Sequence, residues 1–203
     1  MLKLYSFQGS GNCYKVRLLL SQLGIPFQVV ETDILAGEAQ TPEYLAKNPN
    51  GRTPMVEFGN GTLLCESNAI LYHFAVGTPY FPQEPLARTR TLQWMFFEQN
   101  NHETTIAVAR HWLKYRQVTT DHRERLDDLQ KGGRRVLGVM EHHLSSNAFF
   151  PGEAYSIADI ALYAYTHCAD EGGFDLSPYP NIRSWLGRVS SQPGHITMDH
   201  ICS

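Results

Sequence analysis

The sequence predicts an α/β domain followed by an all-helical domain, and three observations lead to this prediction. Residues 1–77 carry strand and helix patterns in the order β-α-β-α-β-β-α. Residues 78–85 continue a Pro- and Gly-rich stretch that is typical of a linker between domains. In residues 86–203, apolar side chains recur every three or four positions, as they do along amphipathic helices.

Ser10 lies between a predicted strand at residues 2–7 and an amphipathic helix that ends at Gly24. The free N–H groups and the positive dipole end of that helix point at Ser10. An anion is stabilised at such a position, and a thiol held there has a lowered pKa. Serine is also a favoured N-cap residue, so the alternative is that Ser10 only caps the helix. Taken alone, the stretch favours the capping role.

The first domain is predicted to contain two strands that are joined through a helix, and to end with a hairpin and a further helix. A second strand is predicted at residues 27–31, and a short helix begins with Thr41 as N-cap and Pro42 at its first position. Residues 52–58 and 62–65 form a hairpin around a Gly-Asn-Gly turn, and a helix follows. The first two strands are therefore expected to be parallel, with the hairpin as an antiparallel edge.

Composition excludes several classes of protein. The 203 residues include 17 basic and 20 acidic ones, and a net charge of −3 gives no indication of nucleic-acid or anionic-membrane binding. There is neither an apolar run of about 20 residues nor a signal-peptide pattern. The nine histidines show no metal-ligand spacing, so no metal is expected. Four dispersed cysteines predict reduced thiols in a cytoplasmic protein; these are Cys13, Cys65, Cys168 and Cys202.

The second domain is predicted to consist of long helices. A helix without Gly or Pro spans residues 86–118, and a break with a cap at residues 119–121 precedes the next one. Gly133 falls on the apolar stripe of that next helix, which predicts a close approach of another helix; the alternative is a helix interrupted at Gly132-Gly133. Ser156 and Asp159 form an N-capping box at the start of a further helix, and this box is assigned to folding, with no chemistry.

Three motifs give the chain a resemblance to a known family: Ser10-Gly11-Asn12-Cys13, Arg52-Thr53-Pro54 and Glu66-Ser67-Asn68-Ala69-Ile70. In this order and spacing, the chain resembles the cytosolic glutathione transferases, in particular bacterial members that use a serine. The resemblance runs along essentially the whole chain. It implies that the first domain is thioredoxin-like and binds glutathione, and that the helical domain contributes the site for the electrophile.

The resemblance also implies how glutathione is held. Pro54 is expected to follow a cis peptide bond, so that the main chain of Thr53 pairs with the cysteinyl part of glutathione; a trans proline at a strand edge is the alternative. Glu66 and Ser67 are expected to take the ammonium and the carboxylate of the γ-glutamyl end, which is compatible with capping a helix. Arg52 is a candidate for the glycyl carboxylate, or else an ordinary surface arginine.

The resemblance implies that glutathione is the co-substrate and that its thiolate must be stabilised. Ser10 is the expected hydrogen-bond donor, with the Asn12 amide as a second one. Tyr5 is a rival, although the position that matches the catalytic tyrosine of other branches is Ser6. Redox relatives place a Cys-x-x-Cys at this junction, whereas here the nucleophile position is Ser10. Cys13 lies in phase with apolar residues, so chemistry through the protein's own thiol is not expected.

The expected function is a detoxifying glutathione transferase that acts on small hydrophobic electrophiles or peroxides. Alternatives are a glutathione-dependent isomerase or dehalogenase, and a non-catalytic glutathione-binding protein. Phe97 and Asn101 are candidates for the electrophile pocket, with core or dimer contacts as the alternative. A homodimer is expected from the family and from the wide apolar faces of the helices.

Overall fold

The computed structural model describes residues 1–116 and 119–201, without the side chains at positions 120 and 121. Cys202 and the end of the predicted helix at Val118 therefore lie outside the described residues. The chain forms two compact units, one of which is Gly77–Ser191. The other combines Met1–Val76 with the segment from Gln192 onward, which the sequence analysis assigned to the helical domain. No helix in the described ranges has both the length and the apolar composition that crossing a bilayer requires.

The first unit contains a four-stranded mixed sheet with the predicted element order. The sheet order is β2-β1-β3-β4, in which β1 is parallel to β2 and antiparallel to β3, and β3 is antiparallel to β4. The parallel pair and the antiparallel hairpin are thus confirmed. The elements are β1 (Leu2–Ser6), α1 (Gly11–Gln22), β2 (Phe27–Glu31), a 3₁₀ turn (Glu38–Gln40), α2 (Pro42–Lys47), β3 (Met55–Glu57), β4 (Leu63–Cys65) and α3 (Ser67–Ala75).

Both faces of the sheet are covered, because alternate strand residues point to opposite sides. On one face, Leu4 of β1 and Val56 of β3 pack with apolar residues of α1 and α3. On the other face, Met55 packs with Tyr44 of α2. Ser6 follows Leu4 by two positions and is fully buried on the same side, whereas Tyr5 lies on the α2 side. This alternation fixes which β1 side chains can reach the start of α1.

The C-terminal segment of the first unit is held by hydrogen bonds from the start of the chain. The Tyr14 hydroxyl donates to the carbonyl of Ile196 at 2.7 Å. Both Gln8 Nε2 and Arg17 Nη2 donate to the carbonyl of Met198, at 2.9 and 3.1 Å. These donors come from the loop before α1 and from α1 itself, so residues 192–201 support the segment that carries Ser10.

The second unit is helical, as predicted, and one segment departs from α-helical geometry. The predicted helix from residue 86 is α4 (Pro85–Phe97), a π-helix (Glu98–Ala107) and α5 (Val108–Tyr115) in succession. Polar side chains bond to main-chain carbonyls within this segment: Asn100 Nδ2 to Phe96 O at 2.9 Å, and Thr105 Oγ1 to Asn101 O at 2.7 Å. Such bonds compete with the usual i to i−4 ladder, and in this segment they accompany the wider π-helical turn. The remaining elements are α6 (Thr120–Leu144), α7 (Ile157–Thr166), a 3₁₀ turn (Ala169–Gly172) and α8 (Pro180–Ser190).

Two local predictions for the helical unit are confirmed. A Cβ atom on Gly133 would lie 2.6 Å from Cζ of Phe174 and 3.2 Å from Cγ1 of Ile106 in the π-helix, so the glycine does mark a close helix approach. At the start of α7, Ser156 Oγ accepts from the Ala158 N–H at 3.1 Å, and Asp159 Oδ2 accepts from the Ser156 N–H at 2.9 Å. The capping box therefore fixes this helix start.

Candidate glutathione site

Ser10 occupies the predicted junction between β1 and α1. Its backbone is extended, and its Oγ accepts a hydrogen bond from the main-chain N–H of Cys13 at 3.4 Å, so it is the N-cap of α1. Among the residues that the structure describes, none accepts a hydrogen bond from the Ser10 hydroxyl. The oxygen thus caps the helix while the proton remains for a ligand, which makes the capping role and the ligand-binding role compatible.

A network of side-chain contacts joins the N-termini of α1 and α3, and its members are Asn12, Lys15 and Ser67. Lys15 Nζ lies 2.7 Å from Asn12 Oδ1 and 3.5 Å from Ser67 Oγ, and the Ser67 hydroxyl donates to Asn12 Oδ1 at 3.2 Å. An ammonium can only donate, so the Asn12 atom facing it must be the oxygen. The Asn12 amide nitrogen therefore points away from Lys15.

The Arg52-Thr53-Pro54 segment contains the predicted cis peptide bond, between Thr53 and Pro54. The carbonyl of Arg52 accepts hydrogen bonds from Tyr44 Oη and Asn48 Nδ2, both at 2.8 Å, which anchors the main chain before the proline. The Arg52 side chain is exposed, and its guanidinium contacts no carboxylate in the described part of the chain. An exposed guanidinium of this kind can take a ligand carboxylate.

Glu66 precedes α3 in an unusual backbone conformation. Its φ of 68° lies in the left-handed region, which is uncommon for a residue other than glycine. Its side chain is exposed and its Oε1 accepts from Asn50 Nδ2 at 3.3 Å. Asn50 belongs to the turn before Arg52, so this contact joins the second and third motifs. Strained backbone of this kind is often found at functional sites.

The rival residues on β1 are placed differently from Ser10. The Tyr5 hydroxyl lies on the α2 side of the sheet, where it contacts Glu57 and Lys47. Ser6 is fully buried, and its hydroxyl has no hydrogen-bond partner in the described ranges. Cys13 is also fully buried, and its Sγ accepts from the Phe7 N–H at 3.3 Å. Cys13 is therefore a small core residue, as the sequence pattern predicted.

Phe97 and Asn101 belong to the second unit. Phe97 is half-buried and packs edge-on against Trp94, with ring centroids 5.1 Å apart. Asn101 lies one helical turn later and lines an open groove of about 380 Å³ between the π-helix and α6. Most of the residues that line that groove are of polar type, among them Lys131 and Arg135. Trp94 packs in addition against His143 and Phe150, so this side of the helix is partly core.

Sequence reasoning missed Lys15 as a residue of this site. It is fully buried, although lysine is almost never fully buried in proteins. One signal was present in the sequence: α1 contains Lys15 and Arg17 within an otherwise apolar run and has no acidic residue. No group of three or more His, Cys, Asp or Glu side chains in the described ranges is arranged to hold a metal ion.

Comparisons with known proteins match nearly all of the chain. The model of the glutathione S-transferase N-terminal domain matches residues 1–75, and that of the C-terminal domain matches residues 72–193. The crystal structure of a glutathione S-transferase from Pseudomonas fluorescens is similar, with a TM-score of 0.95 and 53% identity. The similarity covers 97% of this chain and 98% of that one.

The names of two further relatives describe two different activities. The disulfide-bond oxidoreductase YfcG of Escherichia coli is 28% identical over 95% of this chain and 92% of its own length. A glutathione transferase from Burkholderia graminis, solved with two glutathione molecules bound per subunit, is 25% identical with a TM-score of 0.83. That match covers 95% of this chain and 85% of the other. With both domain models matched in the expected order, the chain belongs to the glutathione S-transferase family.

Proposed function

We propose that this protein is a glutathione transferase that activates the glutathione thiol for attack on a small hydrophobic electrophile or a peroxide. The observation that carries the proposal is the Ser10 hydroxyl. It lies at the N-terminus of α1, accepts from the Cys13 N–H and gives its proton to no residue that the structure describes. Membership of the family and a glutathione-bound relative support glutathione as the ligand.

The chemistry requires a thiolate, and Ser10 is suited to stabilise one. The thiol of glutathione resembles that of free cysteine, whose pKa is about 8.5, so little thiolate is present at neutral pH. Ser10 donates its O–H to the sulfur, and the positive end of α1 adds a favourable field. The Asn12 amide nitrogen, which points away from Lys15, is the second donor. The sulfur then bonds to the electrophilic carbon, the leaving group departs with its electron pair, and the thiol proton passes to water.

The remaining glutathione contacts follow from the motifs. Arg52 takes the glycyl carboxylate with its exposed guanidinium. The main chain of Thr53 makes no hydrogen bond to other described residues, so it is available for strand-like pairing with the cysteinyl residue before Pro54. Glu66 binds the ammonium of the γ-glutamyl end, and Ser67 with the N-terminus of α3 binds its carboxylate. Phe97 and Asn101 contribute to the electrophile site.

A panel of co-substrates tests this function. Turnover with glutathione would be measured for an aromatic halide, an organic peroxide, a maleyl isomerisation substrate and a haloalkane, each in the presence and absence of protein. Conjugation or peroxide reduction above the background rate supports the proposal. Turnover of the isomerisation substrate or haloalkane alone supports the isomerase or dehalogenase alternative. Glutathione binding without turnover of any compound supports a non-catalytic protein.

Disulfide reduction by glutathione is a second candidate function, favoured by the likeness to the disulfide-bond oxidoreductase of Escherichia coli. In this reaction two glutathione molecules are oxidised to one glutathione disulfide, and the substrate disulfide becomes two thiols that take the two protons. Two of the protein's thiols, those of Cys65 and Cys168, are unsuited to the attack, because burial raises the pKa of Cys65 and raises that of Cys168 to about 11. Reduction of hydroxyethyl disulfide that survives in Cys13→Ala would support this candidate.

We also propose that the protein forms a homodimer. Large apolar side chains are exposed in the helical unit, among them Phe96 (66% exposed) on α4 and Val139 (44% exposed) on α6. A partner subunit would remove such side chains from water. Sedimentation velocity at micromolar concentration tests the proposal, and a monomer throughout that range contradicts it.

A further inference from the structure

Lys15 is a buried cation located where two residues of the proposed site meet. Its side chain is fully buried, and its Nζ contacts Asn12 Oδ1 at 2.7 Å and Ser67 Oγ at 3.5 Å. Taking an ammonium out of water is costly, so a fully buried lysine needs a compensating environment or a function. Asn12 belongs to the thiol end of the proposed glutathione site and Ser67 to the γ-glutamyl end, so Lys15 joins the two.

The position of Lys15 adds positive charge to the N-terminus of α3. Ser67 is the first residue of that helix, and the N–H groups of its first turn already favour an anion. In a buried environment, the field of a unit charge is screened much less than in water. A carboxylate bound by Ser67 therefore experiences both the helix terminus and the ammonium behind the serine.

The hydrogen bonds also permit Ser67 to change its partner. Its hydroxyl now donates to Asn12 Oδ1 at 3.2 Å. If the hydroxyl turns to an incoming carboxylate, Lys15 remains on Asn12 Oδ1 at 2.7 Å, so that oxygen keeps a donor. A buried acceptor that loses its donor costs free energy, and Lys15 prevents that loss during binding.

We propose that Lys15 is a positioning residue that makes the γ-glutamyl carboxylate of glutathione a strong determinant of binding. It acts through Ser67 and Asn12 and does not itself touch the ligand. The proposal rests on the proposed glutathione site. It predicts that Lys15 sets the preference for peptides that carry this carboxylate over peptides that lack it.

The test compares glutathione with 4-aminobutyryl-cysteinyl-glycine, which lacks only that carboxylate, by isothermal titration calorimetry. In the wild type we expect glutathione to bind far more tightly than this analogue. In Lys15→Met we expect the ratio of the two affinities to fall about tenfold, as loss of a nearby charge predicts. Lys15→Arg, which keeps the charge, should retain most of the ratio. Lys3→Met, which removes a half-exposed lysine of the same unit, is the control and should leave the ratio unchanged.

A second variant keeps the test decisive if Lys15→Met does not fold. Asn12→Asp keeps the side-chain shape and gives Lys15 a carboxylate neighbour, so it should lower the ratio in the same direction. An unchanged ratio in a folded Lys15→Met or Asn12→Asp protein overturns the role of Lys15 while leaving the glutathione site intact. No binding of glutathione to the wild type would instead overturn the proposed function, and the role of Lys15 with it.

Discussion

The Tyr5 hydroxyl donates a hydrogen bond to Glu57 Oε2 at 2.7 Å. The same hydroxyl accepts from Lys47 Nζ at 2.5 Å, and the contacts from Tyr5, Lys47 and Lys3 lower the pKa of Glu57 to about 2. A phenol engaged in this way on the α2 side of the sheet is not available to a thiolate near Ser10. The placement argues against Tyr5 as the thiolate donor.

Tyr5→Phe is therefore expected to leave catalysis nearly unchanged. kcat/KM with glutathione should stay within about twofold of the wild type, since the catalytic hydrogen bond is not removed. The free energy of unfolding should fall slightly because Glu57 and Lys47 lose a partner. Steady-state kinetics and urea unfolding measure the two quantities. A large loss of kcat/KM in a stable Tyr5→Phe protein would transfer the donor role to Tyr5.

Ser10→Ala should lower kcat/KM by about one to two orders of magnitude, with glutathione binding largely kept. The reason is that a hydrogen bond to a charged acceptor contributes roughly 1.5–3 kcal/mol, and this one is lost from the thiolate. Without the donor, the pKa of the bound thiol rises, so the pH–rate profile should move to higher pH. Kinetics from pH 6 to 9 measure the shift.

Cys13→Ala is the matched comparison for Ser10→Ala. The fully buried Cys13 Sγ accepts from the Phe7 N–H, so its removal should lower the free energy of unfolding by about 1 kcal/mol and change the rate little. If Ser10→Ala retains full activity while Asn12→Ala abolishes it, the thiolate donor is Asn12 and the glutathione site itself is unaffected.

Gly133 and Gly138 lie in the same helix and should respond oppositely to alanine. A Cβ at position 133 would meet the Phe174 ring, so Gly133→Ala should lower the free energy of unfolding by about 1–3 kcal/mol. A Cβ at position 138 would meet nothing within 4 Å, and alanine is the better helix former by about 1 kcal/mol. Gly138→Ala should therefore stabilise the protein slightly. Urea unfolding of both variants tests the pair, and a neutral Gly133→Ala would contradict the close approach.

Features that depend on a few neighbouring residues could be predicted from the sequence. Thr41 caps α2 by accepting from the Tyr44 N–H three residues later, and Ser156 with Asp159 forms the box at α7. The order of the strands follows from the element order and from short connections. The strand-to-helix junction at Ser10 is local in the same sense, so its N-cap geometry was predictable.

Features that depend on distant contacts could not be predicted in this way. The return of the C-terminal segment depends on Tyr14 and Ile196, which are 182 residues apart in sequence. The burial of Lys15 depends on its contact with Ser67 of α3, which lies 52 residues later in the sequence. The periodicity of α1 alone does not show whether the Lys15 side chain is buried or exposed. The π-helix could not be predicted either, because the polar run at residues 98–105 has the composition of an ordinary exposed helix.

Asp159 should make the stability of the protein depend on pH between about 4 and 8. Asp159 is fully buried, and this burial raises the pKa of its carboxyl to about 7. Three hydrogen bonds oppose the rise; their donors are the main-chain N–H groups of Phe150 and Ser156 and the indole N–H of Trp185. In the unfolded chain the pKa of an aspartate is about 3.9, so the native state binds the proton more tightly. Linkage then requires that this contribution to stability is complete below about pH 4 and is lost as the pH rises through 7.

We therefore expect the free energy of unfolding of the wild type to fall from pH 5 to pH 7 and to level off above pH 8. In Asp159→Asn that slope should be absent. At pH 5 the variant should also be less stable than the wild type, by about 1–3 kcal/mol, because the amide cannot accept from all the donors. This difference should shrink as the pH rises, because only the wild type loses stability. Asp175→Asn is the control: hydrogen bonds from Ser177 lower the pKa of Asp175, so its removal leaves the slope between pH 5 and 8 unchanged. Urea unfolding at pH 5, 6, 7 and 8 measures each slope. If the slope persists in Asp159→Asn, the titrating group is a different residue. If the stability of the wild type instead rises over this range, the hydrogen bonds to Asp159 affect its pKa more than its burial does.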